Sequence, residues 1–100
     1  MTKQATPVHP GVILRVEFLE PLNLTPGKVA KAIDVPRTRI ERVVEAKTSI
    51  TADTAVRLAK FFGNSSQFWL NLQSHYDLEM ADRALAKKLA KIEPFNVKAA

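Results

Sequence analysis

A chain of 100 residues in which 46% of the side chains are apolar and 25% are charged is long enough for one globular domain with a single hydrophobic core. The absence of cysteine excludes a disulfide framework and a thiolate metal site. Fifteen basic and ten acidic side chains give a net charge of +5, which suits a polyanionic partner, although solubility alone also accounts for it.

The first 20 residues predict an arm followed by a helix. Residues 1–8 are polar and lack periodicity, which predicts a disordered arm. A helix of about ten residues is expected after His9-Pro10-Gly11, ending at Glu20. Its apolar stripe comprises Val12, Val16 and Leu19. Because other apolar residues widen this stripe, we expect the helix to be buried on most of its circumference.

Two short helices joined by a tight turn are predicted for residues 25–45. Thr25 is a candidate N-cap, because its hydroxyl can accept from the free N–H groups of the first turn. Asp34 falls in the turn, where the chain needs a left-handed residue and Asp is tolerated. Helical spacing predicts the buried residues of the first helix, Val29, Ala30 and Ile33, and of the second, Ile40, Val43 and Val44.

The small side chain of Ala30 lets the second helix cross the first closely and at a steep angle. This is the geometry of a helix-turn-helix, whose second helix enters a DNA major groove. The outer face of that helix carries Arg37, Thr38, Glu41, Arg42 and Glu45. An ordinary pair of antiparallel helices with a solvated charged face fits the same spacing, so the residues alone leave both interpretations open.

A polar loop containing Lys47, Thr48 and Ser49 follows this helix pair. Loops at such a place commonly offer backbone amides and hydroxyls to phosphates, and an inert connector fits the sequence equally well. Thr51 is the predicted N-cap of the next helix, which should end at Gly63 in a left-handed conformation.

Most aromatic side chains are concentrated around the start of a fifth helix, which Ser65 or Ser66 is predicted to cap. A core alone can use these side chains, and a homodimer interface, where aromatics are enriched, is the alternative. The predicted interface residues are Phe61, Phe68, Trp69, Leu72 and Tyr76. Asp77 is a candidate cap for a continuation from Leu78 to Ala90, and residues 93–100 are predicted to form a flexible tail.

The stretch ITADTAVRLAKFFGNSSQFWLNLQ resembles the signature of the HigA/VapI family of bacterial antitoxins, which belong to the larger Xre/Cro repressor superfamily. HPGVILRVEFLEPLNLT and the closing IEPF are also similar to this family, so the resemblance spans about residues 9–95. It implies an all-α, five-helix Cro/repressor-like helix-turn-helix domain over residues 9–92 with a helical C-terminal extension. It also implies a homodimer that represses its own operon by binding operator DNA and pairs with a small ribonuclease toxin encoded nearby.

The resemblance carries the family's base-reading positions onto Arg37, Thr38 and Arg42, which lie on the outer face that helical spacing exposes. It implies phosphate contacts from a second set of residues: Lys28, Arg39, Lys47, Thr48 and Ser49. A symmetric dimer with these contacts demands a palindromic operator.

Some residues depart from the family pattern. Pro26 stands where superfamily members often place a phosphate-binding Gln or Ser, and Asp34 and Ala46 stand where Gly is commoner. Glu41 and Glu45 bring negative charge to the face that should meet DNA. A glutamate there can accept from cytosine N4 or orient a neighbouring arginine, and it can equally weaken DNA binding.

Groups suited to catalysis are few. His9 and His75 are the only histidines, and they are far apart without metal-ligand spacing. Ser65-Ser66 lacks a strand-turn-helix elbow, and the three glycines form no phosphate loop. No apolar run approaches the roughly 20 residues of a membrane span, and the start of the chain has no signal-peptide core. We therefore predict a cytoplasmic protein that is not an enzyme and uses no metal, cofactor or membrane.

Two other functions fit the same residues. A stand-alone repressor of a phage or plasmid type would share the fold and the DNA-binding face but lack a toxin partner. A protein-interaction module would keep the helix-turn-helix without reading DNA. A short basic reading frame beside the gene favours the antitoxin over the stand-alone repressor, and operator binding separates both from the interaction module.

Overall fold

The computed structural model describes residues 6–96, and within them the chain forms five α-helices and no strand. These are α1 (Pro10–Ile13), α2 (Pro26–Ala32), α3 (Arg37–Val44), α4 (Ala52–Phe62) and α5 (Ser66–Leu89), and a π-helical segment (Leu14–Leu19) continues α1. The predicted all-α, five-helix fold is confirmed. Residues 1–5 of the predicted arm and 97–100 of the predicted tail lie outside the described residues, while 6–8 and 93–96 have no regular secondary structure.

The core lies where the π-helical segment and α2 to α5 meet. Its fully buried side chains include one from the π-helical segment and one from each of α2 to α5, namely Leu14, Val29, Ile40, Leu58 and Trp69. Full burial of a side chain of this kind stabilises the fold by roughly 1.5–3 kcal/mol. These contacts therefore hold α3 in a fixed position against the other helices.

The π-helical segment changes which residues of the first helix are buried. Its hydrogen bonds join residues five apart, as between the Glu20 N–H and the Arg15 carbonyl oxygen at 2.9 Å. Leu14 and Leu19, also five apart, consequently share the buried face, whereas Val16 is 38% exposed. The predicted stripe through Val16 is wrong, because it assumed regular α-helical winding.

Side-chain caps begin three helices at the predicted residues. The hydroxyls of Thr25, Thr51 and Ser65 accept from the backbone N–H three residues later, at 3.1, 3.4 and 3.0 Å respectively. Gly63 ends α4 with a left-handed φ of 76°. Each such N-cap typically contributes about 1 kcal/mol to helix stability. Hydrogen bonds between residues three positions apart therefore help to set where these helices begin.

α5 runs unbroken through Asp77, so the predicted cap at Asp77 is wrong, whereas the predicted helical continuation beyond it is present. The Asp77 carboxylate accepts instead from the side-chain amide of Gln73, one turn earlier, at 2.9 Å. All residues from 80 to 96 are exposed, so the C-terminal part of α5 projects from the domain. Within residues 6–96, no helix is long and apolar enough to cross a membrane.

Candidate nucleic-acid interface

α2 and α3 form the predicted helix-turn-helix, and a Schellman motif closes its turn. The Val35 N–H donates to the Ala30 carbonyl oxygen at 3.0 Å, and the Asp34 N–H donates to the Lys31 carbonyl oxygen at 3.3 Å. Asp34 has a φ of 60°, which confirms the left-handed residue predicted for the turn. Ala30 is buried at the crossing, so the two helices pack closely.

The same motif ends α3 and directs the chain into the polar loop. The Lys47 N–H donates to the Arg42 carbonyl oxygen at 2.8 Å, and the Ala46 N–H donates to the Val43 carbonyl oxygen at 3.0 Å. Ala46 has a φ of 62°. Both positions where the family commonly has Gly are therefore left-handed in this chain, although a non-glycine residue occupies each.

The outer face of α3 presents the predicted base-reading residues to solvent. Arg37, Thr38 and Arg42 are all exposed, with 72% of the Arg37 side chain accessible. The Glu41 Oε2 lies 3.2 Å from the Arg37 Nε. At the far end of the helix, Glu45 pairs with the Lys47 Nζ at 3.3 Å. Each acidic residue on this face is therefore matched to a basic one, which fits the orienting role considered from the sequence.

A groove of about 410 Å³ separates α3 from the start of α4. It is lined by two arginines and five residues with short polar or acidic side chains, two of which belong to the polar loop, namely Arg39, Arg42, Thr48, Ser49, Thr51, Asp53 and Thr54. The fold thus brings together four of the predicted DNA-contacting residues. Guanidinium groups, hydroxyls and the N-terminus of a helix are groups that contact phosphates. Lys28, also predicted, lies apart from this groove, exposed on α2.

Asp53 joins Arg39 and Arg57 at the edge of this groove. Its Oδ1 accepts from the Arg39 Nη1 at 2.5 Å and from the Arg57 Nε at 2.7 Å. Hydrogen bonds from Arg39 and Arg57 hold the pKa of the Asp53 carboxyl below its usual value. Arg39, predicted as a phosphate contact, is consequently paired within the protein.

Arg57 links this cluster to the helix-turn-helix. Its Nη1 donates to the carbonyl oxygens of Ile33 and Asp34, at 2.7 and 3.3 Å. Arg57 is not predicted as a site residue from the sequence, because the contact joins residues more than 20 positions apart. Its position four residues after Asp53, which allows an ion pair along α4, was the one available sign.

His9 lies where the polar loop, α1 and α5 meet. Its Nδ1 accepts from the Gly11 N–H at 2.9 Å and so caps α1. Its ring packs edge-on against Tyr76, with 5.0 Å between centroids. Burial lowers the pKa of His9, whereas the charge of Asp77 and a hydrogen bond to the Thr48 backbone act in the opposite direction. A neutral His9 therefore supports the loop that contains Thr48.

The predicted interface residues divide between the core and the surface. Trp69 is fully buried, and its indole Nε1 donates to the Asn64 side-chain oxygen at 2.9 Å. It belongs to the core of the protomer, so its assignment to a dimer surface is wrong. Leu72 and Tyr76 are half-buried, whereas Phe61 and Phe68 remain exposed.

The described part of the chain contains no cluster of three or more His, Asp or Glu side chains that could hold a metal ion.

Residues 17–69, from the π-helical segment to the start of α5, match the Helix-turn-helix family. Virulence-associated protein I of Dichelobacter nodosus is 49% identical over 76 residues, which cover 76% of this chain and 70% of that protein. Antitoxin HigA-1 of Vibrio cholerae is 40% identical over 72 residues, which cover 72% of this chain and 68% of the antitoxin.

The chain belongs to the HigA/VapI family of helix-turn-helix antitoxins. A solved structure with the same fold is the Pseudomonas aeruginosa antitoxin HigA with the higBA promoter, which has a TM-score of 0.87 and 42% identity. The match covers 90% of this chain and 99% of the solved chain. The resemblance recognised in the sequence is therefore confirmed for this HigA-family chain in both family and fold.

Proposed function

We propose that this chain is an antitoxin that acts in the cytoplasm, represses its own operon as a homodimer and neutralises a ribonuclease toxin encoded beside it. The observation that carries the DNA-binding part is the exposure of Arg37, Thr38 and Arg42 on α3 beside a groove lined by phosphate-binding groups. The Pseudomonas aeruginosa HigA structure with the higBA promoter supports it. We assign no catalytic step to the chain.

In this proposal α3 is the recognition helix and enters the major groove by its N-terminal end. Arg37 and Thr38, in its first turn, read base edges, and Arg42 reaches sideways to an outer base or a phosphate. Phosphate contacts come from Lys28 and from the polar loop residues Lys47, Thr48 and Ser49. The Schellman motif at Ala46 supports this role, because it turns the loop toward the groove.

The exposed part of α5 supports the homodimer. The apolar residues Leu78, Ala81, Leu85 and Leu89 are spaced 3, 4 and 4 residues apart. At about 100° per residue they form one stripe, roughly 140° around the helix from the buried Trp69 and Gln73. We call these four residues the α5 stripe. Because α5 packs on its own domain through the other face, the domain cannot cover the α5 stripe.

A second copy of the chain is the occupant that we propose for the α5 stripe. Leu78 and Leu89, at its two ends, are 64% and 42% exposed, so the stripe offers apolar surface along its length. Two identical stripes can pack around a two-fold axis, which is the usual symmetry of homodimers. Such a dimer presents two recognition helices to successive major grooves, about 34 Å apart. Phe61 and Phe68 remain the exposed members of the interface predicted from the sequence.

Solution size at micromolar concentration tests the homodimer and its location. We expect a dimer for the wild type and a monomer for Leu85→Glu, with Phe61→Glu as the control that tests the aromatic surface. A monomeric wild type contradicts the homodimer. A dimeric Leu85→Glu combined with a monomeric Phe61→Glu moves the interface to the surface predicted from the sequence.

Binding to the DNA upstream of its own gene, followed by anisotropy, tests operator recognition. We expect tighter binding to this DNA than to a random duplex of equal length. Co-expression with the neighbouring reading frame tests the antitoxin role, because a neutralised toxin should copurify and cease to inhibit growth. Operator binding without a toxin partner would identify a stand-alone repressor. Copurification without DNA binding would identify a protein-interaction module.

A further inference from the structure

We propose that Asp53 is a specificity-determining residue that lowers affinity for non-operator DNA by keeping Arg39 from phosphates. The inference rests on the proposed DNA binding and assigns a role to a carboxylate in the binding groove itself. Asp53 is 56% exposed at its side chain and lines the groove together with Arg39 and Arg42. A carboxylate is an unexpected group beside a polyanion, because like charges repel.

The geometry indicates that Asp53 acts on Arg39 in particular. The Arg39 Nη1 and the Arg57 Nε both donate to one carboxylate oxygen, so Asp53 is held between two guanidinium groups. Arg57 is itself anchored on the Ile33 and Asp34 carbonyl oxygens. Asp53 is therefore fixed from the side of the helix-turn-helix, and Arg39 is the partner that faces the groove. A phosphate that approaches Arg39 must compete with a carboxylate already in place.

This competition affects the two classes of DNA differently. In a random duplex no base contact fixes the register, so an unpaired Arg39 is free to reach any nearby phosphate. On the operator, the base contacts of Arg37 and Thr38 fix the register, and the phosphate at the groove is already met by Arg42 and the polar loop. Releasing Arg39 therefore strengthens binding to random DNA more than binding to the operator, and the ratio of the two affinities falls.

Anisotropy titrations with operator and random duplexes over a range of salt concentrations test the inference. Asp53→Asn removes the charge with little change in shape. We expect it to raise affinity for random DNA several-fold at low salt. Because one added phosphate contact changes the slope of log K against log salt by about 0.9, we expect that slope to steepen by about this amount. Asp53→Glu, which keeps the charge, should stay close to the wild type.

A double-mutant cycle with Arg39→Gln separates this role from a structural one. In the Arg39→Gln background, Asp53→Asn should leave both the random-DNA affinity and its salt slope unchanged. An unchanged slope for Asp53→Asn alone, or an equal change in both backgrounds, overturns the inference. A parallel fall of both affinities together with the melting temperature shows that Asp53 only supports the fold, and it overturns the inference as well.

The failure of the proposed function is distinguishable from the failure of this inference. A wild type that does not prefer its operator contradicts the proposed operator recognition. The random-duplex titrations and the cycle with Arg39→Gln still test whether Asp53 masks Arg39. Conversely, a wild type that prefers its operator while Asp53→Asn leaves the random-DNA slope unchanged contradicts only the inference.

Discussion

Gly11 lies directly against the backbone of Val43, because a Cβ at position 11 would be 1.7 Å from the Val43 carbonyl oxygen. α1 thus meets the last turn of α3 through backbone contact. Gly11→Ala should lower the free energy of unfolding by about 1–3 kcal/mol, the usual effect of overpacking. Urea denaturation measures it. Gly27→Ala is the matched control, because its Cβ would meet the movable Arg37 side chain at 3.1 Å. An equal effect of both changes contradicts the close contact.

Ala46 adopts a left-handed conformation with a φ of 62° at the end of α3. This conformation costs an L-residue roughly 1–2 kcal/mol, and replacement by glycine adds about 0.4–1 kcal/mol of unfolded-state entropy to be lost. Ala46→Gly should therefore raise the free energy of unfolding by about 0.5–1 kcal/mol. The reverse change, Gly63→Ala at a φ of 76° with open space around it, should lower it. Thermal melts of both variants test whether the two changes in the free energy of unfolding have opposite signs.

His9 makes the stability of the fold depend on pH. Burial lowers its pKa in the folded protein below the usual value of 6.5. As the pH falls, the unfolded chain therefore binds more protons than the folded protein does. The stability that neutral His9 contributes should be fully present above pH 6.5. The free energy of unfolding should decrease as the pH falls through that value. His9→Asn retains an acceptor for capping α1 but cannot titrate. Urea denaturation at pH 7.5 and 5.5 should give a smaller loss for this variant, and equal losses would contradict the assignment.

Arg57 should matter to both stability and DNA binding, because it joins α4 to the turn of the helix-turn-helix. Arg57→Ala leaves the Ile33 and Asp34 carbonyl oxygens without this donor and should lower the free energy of unfolding by about 1–3 kcal/mol. Lys60→Ala, at an exposed position on the same helix, should change it by less than about 0.5 kcal/mol. Denaturant titration provides the comparison. Similar small effects would show that the Arg57 contacts do not stabilise the turn.

Arg37 and Arg42 should contribute differently to sequence reading. They are five residues apart, so their directions around α3 differ by roughly 140°. Arg37→Ala should remove about 1–3 kcal/mol of discrimination at one base pair in each half-site, the value of a bidentate arginine–guanine contact. Arg42→Ala should weaken all sites evenly. Titrations against operators varied one base pair at a time distinguish them. Loss of base preference in Arg42→Ala alone reverses the assignment.

The features that the sequence predicted correctly depend on residues close together in the chain. The caps at Thr25, Thr51 and Ser65 use a side chain and an N–H three residues later, and Asp34 was recognised from its place between two apolar stripes. Helical spacing also predicted that Arg37, Thr38 and Arg42 lie on the exposed face of α3. Such interactions join residues a few positions apart and need no tertiary contact, so the residues themselves determine them.

What only the tertiary structure decided concerns residues far apart in the chain. Aromatic composition could not tell that Trp69 fills the core, since core and interface favour the same side chains. The backbone contact of Gly11 with Val43 and the pairing of Arg39 with Asp53 both arise between neighbouring elements. By itself the sequence determined an all-α helix-turn-helix whose second helix carries Arg37 and Arg42 on its outer face. Packing decided which arginines of α3 are free to meet DNA, because Asp53, 14 residues away, pairs with Arg39.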